Sequence, residues 1–184
     1  MRKSPAFFIF LCLTVACFLL HGSGVLPAEE LSPANDKLHM LNKQIIEADE
    51  KQDLPAAIQA AEEAVRVAQK EIGPQSLKTA DAMNNLANLY LLAERAPEAQ
   101  RLYQAAILID MEKMDAKSVA MADIYYNLGV AYAMQKKYKP ATDILRKARD
   151  IYLEKQGPDA EAAKRADEMI TELTRAVYPE EERL

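Results

Sequence analysis

Few side chains in this chain are equipped for covalent or metal chemistry, and they do not cluster. Its two cysteines, Cys12 and Cys17, sit inside an apolar run from Ala6 to Leu20. Of its two histidines, His21 follows that run and His39 stands alone in everything after it. A chain without cysteine beyond residue 28 offers no disulfide, thiol nucleophile or cysteine zinc site there. A lone histidine provides neither a two-histidine metal site nor a Ser-His-Asp relay. No Walker loop and no G-x-G-x-x-G occurs. Acidic pairs such as Asp49-Glu50 and Glu62-Glu63 read as solvated helix faces. The chain is therefore expected to be no enzyme, with neither cofactor nor metal.

The chemistry that remains is hydrogen bonding by amides. Asn84, Asn85, Asn88 and Asn127 fall inside stretches of helical periodicity, where Asn is a poor choice for the helix itself. A side-chain amide both donates and accepts, so it can pair with the backbone of an extended segment whatever that segment's sequence. Asp123, and the apolar Leu92, Tyr126, Val130 and Met134, accompany the amides in the same stretches.

What positions them is an internal repeat. A shift of 42 residues aligns Ala57, Ala99 and Ala141, then Ala64, Ala106 and Ala148, and then Val67, Ile109 and Ile151. It also sets Leu86 on Leu128, Tyr90 on Tyr132 and Asn85 on Asn127. Apolar residues at i, i+3, i+4 and i+7 within each period predict amphipathic helices. Pro55, Pro97 and Pro140 mark the first turns of second helices, and Gly73 and Gly157 their ends. The periodicity predicts pairs at 36–50 with 54–71, 75–92 with 96–114, and 117–134 with 138–155. A seventh, one-sided helix follows over 159–177. An end repeat exposes apolar surface, and such a helix would cap it.

The motif Leu86-Ala87-x-x-Tyr90 followed by Ala99-x-x-x-Tyr103-x-x-Ala106 resembles the tetratricopeptide repeat (TPR) signature. So does Leu128-Gly129-x-x-Tyr132 followed by Ala141-x-x-x-Leu145-x-x-Ala148. The 42-residue period with Met83-Asn84-Asn85-Leu86-Ala87-Asn88 is similar to the kinesin-light-chain variety. The first copy departs from the pattern, with Gln44, Ile45, Ala48 and Ala61 at the Leu, small, Tyr and aromatic positions. The resemblance implies an all-α, right-handed solenoid of three hairpins and a capping helix. It implies repeats over about 38–79, 80–121 and 122–157 within a domain spanning 36–178. It also implies a concave groove lined by the first helices, where a partner protein's segment binds. Asn84, Asn85, Asn88, Leu92, Asp123, Tyr126, Asn127, Val130 and Met134 are the expected groove residues, with Asn85 and Asn127 matching the Asn that holds a bound main chain. A Lys/Arg clamp is missing, since Lys43 is the one clear cation beside Asp81 and Asp123. A ligand with a free terminal carboxylate is thus not expected.

Arg2 and Lys3, the apolar run, and the small residues before Glu29 have the layout of a secretory leader, with cleavage expected after Ala28. An uncleaved anchor is the alternative, although the run is shorter than a bilayer span requires. The leader predicts a periplasmic or extracellular protein, a linker over 29–35 and a disordered tail over 179–184. Beyond residue 28 there are 21 basic and 28 acidic residues. That balance disfavours nucleic acid and anionic membrane surfaces as partners. An adaptor for an envelope or secreted protein is the expected role. A self-associating structural scaffold of an envelope assembly, as a homodimer, is the other class left open, with an enzyme a distant third.

Overall fold

A computed structural model describes residues 32–113 and 117–177. The expected leader and the 179–184 tail lie outside the described residues. Seven helices follow one another, with no strand among the described residues. They are α1 (Pro33–Glu50), α2 (Leu54–Val67), α3 (Leu77–Leu92), α4 (Ala96–Lys113), α5 (Val119–Met134), α6 (Tyr138–Gln156) and α7 (Glu161–Val177). A π-turn, Ala68–Ile72, prolongs α2.

Local chemistry sets the starts. Ser76 and Ser118 cap α3 and α5, each side-chain oxygen accepting from the backbone N–H three residues on, at 3.1 Å. Asp53 Oδ1 does the same for Ala56 N–H at the start of α2. Ser32 caps α1, and Pro33 fills its first turn, so this helix begins within the stretch expected to be linker. Gly73 (φ 136°) and Gly157 (φ 87°) end the second helices of the first and third pairs in backbone that side-chain-bearing residues rarely adopt.

Each hairpin closes through a three-residue turn of one geometry. Gln52, Glu94 and Lys136 stand 42 residues apart, and all have φ of 56–58°. The N–H groups of Asp53, Arg95 and Lys137 reach back five residues to the carbonyls of Ala48, Tyr90 and Tyr132 at 2.7–3.0 Å. This is the Schellman arrangement, which satisfies helix-end carbonyls. Here it holds residues other than glycine in the left-handed region.

The hairpins stack so that α2 packs on α3, α4 on α5, and α6 on α7. The two alanine columns of the repeat, Ala57, Ala99 and Ala141 with Ala64, Ala106 and Ala148, are all fully buried. Leu86 and Leu128 are buried as the periodicity predicts, and Tyr103 is wholly enclosed. In the divergent first copy, Gln44 is exposed. Leu38 and Leu41 instead pack on Ala64 and Val67 in a small separate cluster.

Gly129 occupies the place of Ala87 one repeat earlier. A Cβ there would lie 2.6 Å from Leu145 Cγ and 3.2 Å from Ile144 Cγ2. Gly129→Ala would gain about 1 kcal/mol of helix propensity. Overpacking against fully buried Leu145 costs roughly 1–3 kcal/mol. The expected outcome is a net loss of stability in urea denaturation; a gain would mean that α5 and α6 separate freely at this point.

Candidate functional site

The face of α1, α3 and α5 on which the groove is expected continues by register onto α7. The 42-residue register runs along this face as His39, Asp81, Asp123 and Arg165, and one turn on as Asn42, Asn84, Tyr126 and Glu168. Between α1 and α3 the groove deepens into a cavity of about 220 Å³. Its wall includes His39, Asn42, Lys78, Asp81 and Asn85. Lys78 crosses the cavity to donate to Asn35 Oδ1 at 2.8 Å. Lys43, the one clear cation expected on this face, pairs with Glu47 at 3.7 Å.

The four asparagines differ in what they do. Asn85 is exposed on the cavity wall. Asn88 Oδ1 accepts the phenol of buried Tyr103 at 2.6 Å and the amide of Asn127 at 3.1 Å, tying α3 to both α4 and α5. Burial pushes the Tyr103 phenol far above its ordinary pKa, so it stays a donor. Asn127 is thus half-buried and committed to a link between repeats. Asn84 is half-buried, and its Oδ1 has no hydrogen-bond partner. Among the apolar candidates, Leu92 and Met134 occupy the same register in successive repeats and are 37% and 41% exposed, while Val130 and Tyr126 are half-buried. Tyr126 faces Arg165, Glu168 and Glu172 of α7; burial raises its phenol, with the arginine opposing.

Two acidic residues stand in settings that residue type alone does not reveal. Asp123 accepts the Tyr152 hydroxyl at 2.6 Å. Burial raises its carboxyl, while that bond and Arg165 pull it down. Asp110, on α4, is 6% exposed, and its Oδ1 has no partner. Burial first and the Asp81 charge second push its carboxyl up to about 6. Burial likewise raises Asp81. The periodicity carried the signal, since 110 falls on 152 and 165 falls on 123. No group of three or more His, Cys, Asp or Glu among the described residues could hold a metal.

The tetratricopeptide repeat family model matches residues 46–112 and 93–154. The chain belongs to the tetratricopeptide repeat family. Its fold is similar to a putative kinesin light chain of Podosopora anserina with nearly identical TPR-like repeats, at 14% identity and a TM-score of 0.68 over 80% of this chain and 69% of that one. It is also similar to the TPR2B domain of yeast Sti1 in its complex with pHsp70, at 21% identity and a TM-score of 0.60 over 77% of this chain and 98% of that one.

Among curated proteins, the clustered mitochondria protein homologue of Coccidioides immitis is 29% identical over 107 residues, 58% of this chain. That of Ajellomyces capsulatus is 27% identical over 101 residues, 55% of the chain. In both, the match spans 8% of the relative's length. These relatives overturn the expectation of a periplasmic or extracellular protein: they are fungal proteins named for clustered mitochondria. Charge, apolar run and small residues describe a leader's layout without fixing its destination.

Two outcomes are expected from these bonds. Asn127→Ala costs about 0.5–1.5 kcal/mol in urea denaturation, the usual worth of a hydrogen bond, whereas Asn85→Ala leaves stability unchanged. Asp110 has a folded-state pKa of about 6 against an ordinary value of 3.8. Its stabilising contribution is complete below the unfolded value and is lost as pH rises from about 4 to about 6, on the order of 2–3 kcal/mol. Asp110→Asn removes that dependence, so melting curves of variant and parent should diverge in favour of the variant as pH rises through this window. Parallel curves would show that Asp110 ionises freely.

Proposed function

We propose that this protein is a protein-interaction module whose concave face holds an extended or helical segment of a partner protein. The observation that carries this reading is the pairing of Leu92 with Met134. Two large apolar side chains stand exposed at equivalent places in successive repeats, beside amides and half-buried Tyr126 and Val130. The core does not use them, and a bound segment's apolar residues would cover them. Asn85 supplies a free amide to that segment's backbone. Asn84, Asn88, Asp123 and Asn127 line the floor, the last two and Asn88 also bracing the repeats. The similarity to Sti1 domains described in complexes with pHsp70 and pHSP90 supports a peptide-holding groove.

Self-association is the second reading. A cleft between α1 and α2, lined by Leu41, Gln44, Ala56, Gln59, Ala60 and Glu63, favours it. Light scattering of the full chain at micromolar concentration distinguishes the two, since the second requires a dimer.

Peptides selected from a random library on the immobilised full chain test the groove. Leu92→Glu with Met134→Glu is expected to weaken their binding at least about tenfold by calorimetry, because a charge at either place would be desolvated under the bound segment. Melting temperature should hold. Unchanged affinity would move the site off this face.

A further inference from the structure

Methionine is the one sulfur-bearing residue type among the described residues, and the fold treats its copies differently. Met83 and Met121 are buried in the stack. Met169 on α7 is half-buried. Met40, Met111 and Met134 are exposed. Cysteine occurs only at Cys12 and Cys17, outside the described residues. A thioether reacts with a peroxide only where the oxidant can reach it, so the exposed three are the sulfurs that meet it first. Their places differ too. Met111 lies on α4, a second helix. Met40 belongs to a register whose other members, Ala82, Ile124 and Ala166, are all buried. Neither joins the groove registers. Met134 does: it stands one repeat on from Leu92, 41% exposed, with half-buried Val130 one turn back on α5. Leu92, its counterpart, has no atom that a peroxide oxidises.

We propose that Met134 is a reversible oxidation site that loosens the groove's hold on its bound segment. The inference rests on the groove reading above and adds its regulation. The oxidant is a peroxide. The lone pair of Met134 Sδ attacks one peroxide oxygen, so an S–O bond forms as the O–O bond breaks. The proton on the transferred oxygen passes to the departing one, which leaves as water or an alcohol. Sulfur loses two electrons and the peroxide gains them. The product is a sulfoxide, polar and chiral where the thioether was apolar and flexible. A segment that covers Met134 must then bury an oxygen with no donor opposite it, which weakens binding. Leu92 keeps its contact, so the loss is partial. The core does not use Met134, so the change acts on the ligand and spares the fold. Sulfoxide reductases, one for each epimer, reverse it: a dithiol becomes a disulfide and the oxygen leaves as water.

The probe is a library-selected peptide that contains neither methionine nor cysteine. It is titrated by calorimetry on the full chain before and after treatment with hydrogen peroxide, with the oxidant removed before each titration. Mass spectrometry of peptide fragments is expected to find sulfoxide at Met40, Met111 and Met134 well before Met83 and Met121. Binding should weaken about tenfold as Met134 oxidises, with the melting temperature held. Dithiothreitol alone, which reverses disulfide formation at Cys12 and Cys17, should not restore affinity; adding the two sulfoxide reductases should. Met134→Leu, compared with its own untreated form, is expected to lose nothing to peroxide, whereas Met40→Leu with Met111→Leu stays as sensitive as the parent. Peptides that need Leu92 and Met134 yet bind the oxidised chain as tightly would overturn the proposal while the groove reading stands. So would a Met134→Leu chain that still loses affinity to peroxide, or a Met134 that resists it. If no selected peptide needs Leu92 or Met134, both readings fall.

Discussion

The distance between paired helices, fixed by columns of alanine, governs the rest of this molecule. At Ala57, Ala99 and Ala141, and again at Ala64, Ala106 and Ala148, the side chain is one methyl group and almost nothing of it reaches solvent. Helices that meet on such residues run at the short end of the usual 8–10 Å separation. They leave room for one large side chain per layer, and Tyr103 and Leu145 take that room, both wholly enclosed. At that separation, three-residue turns suffice to connect the helices. A larger residue in either column would push a hairpin open and tilt every element stacked after it.

A second set of contacts holds the hairpins to one another, and it is polar. The Tyr90 hydroxyl donates to Glu62 at 2.7 Å, and in the next repeat Gln104 donates to the Tyr132 hydroxyl at 2.9 Å. Arg95 lies 4.1 Å above the Tyr90 ring, and Lys137, at the same register, lies 5.9 Å from that of Tyr132. Tyrosine in this family position thus serves two neighbours, with its ring packed in its own hairpin and its hydroxyl turned toward the previous one. Together with the Tyr103, Asn88 and Asn127 node, these bonds tie each hairpin to the next.

Much of this is legible in the order of residues alone. Alanine, leucine and tyrosine columns at a period of 42 fix helix faces, since burial of apolar surface dominates packing and leaves a periodic trace. The boundaries of α3 to α6 fall within two residues of those the periodicity predicts for the same reason, helped by proline and glycine. The start of α1 does not, because Ser32 and Pro33 act as a cap and first turn only if the following residues are already helical. The groove is legible as a face but not as a set of roles. Nothing in the residue type separates Asn85, open to solvent, from Asn127, committed to Asn88. That depends on which side chain stands across from it. Asp110 is hidden for a related reason: an aspartate among helical apolar residues reads as a surface residue until its neighbours are placed.

The turns at Gln52, Glu94 and Lys136 bear on how the chain reaches this state. None is glycine, yet each sits where a side-chain-bearing residue pays roughly 1–2 kcal/mol. The local sequence does not favour the reversal, so an isolated hairpin has no strong tendency to close. Closure must be driven by contacts that form only when two helices already lie against each other and against the next pair. Each turn is in this sense a consequence of assembly rather than its seed. Folding is then expected to spread along the stack as a coupled process, instead of by docking of hairpins made in advance.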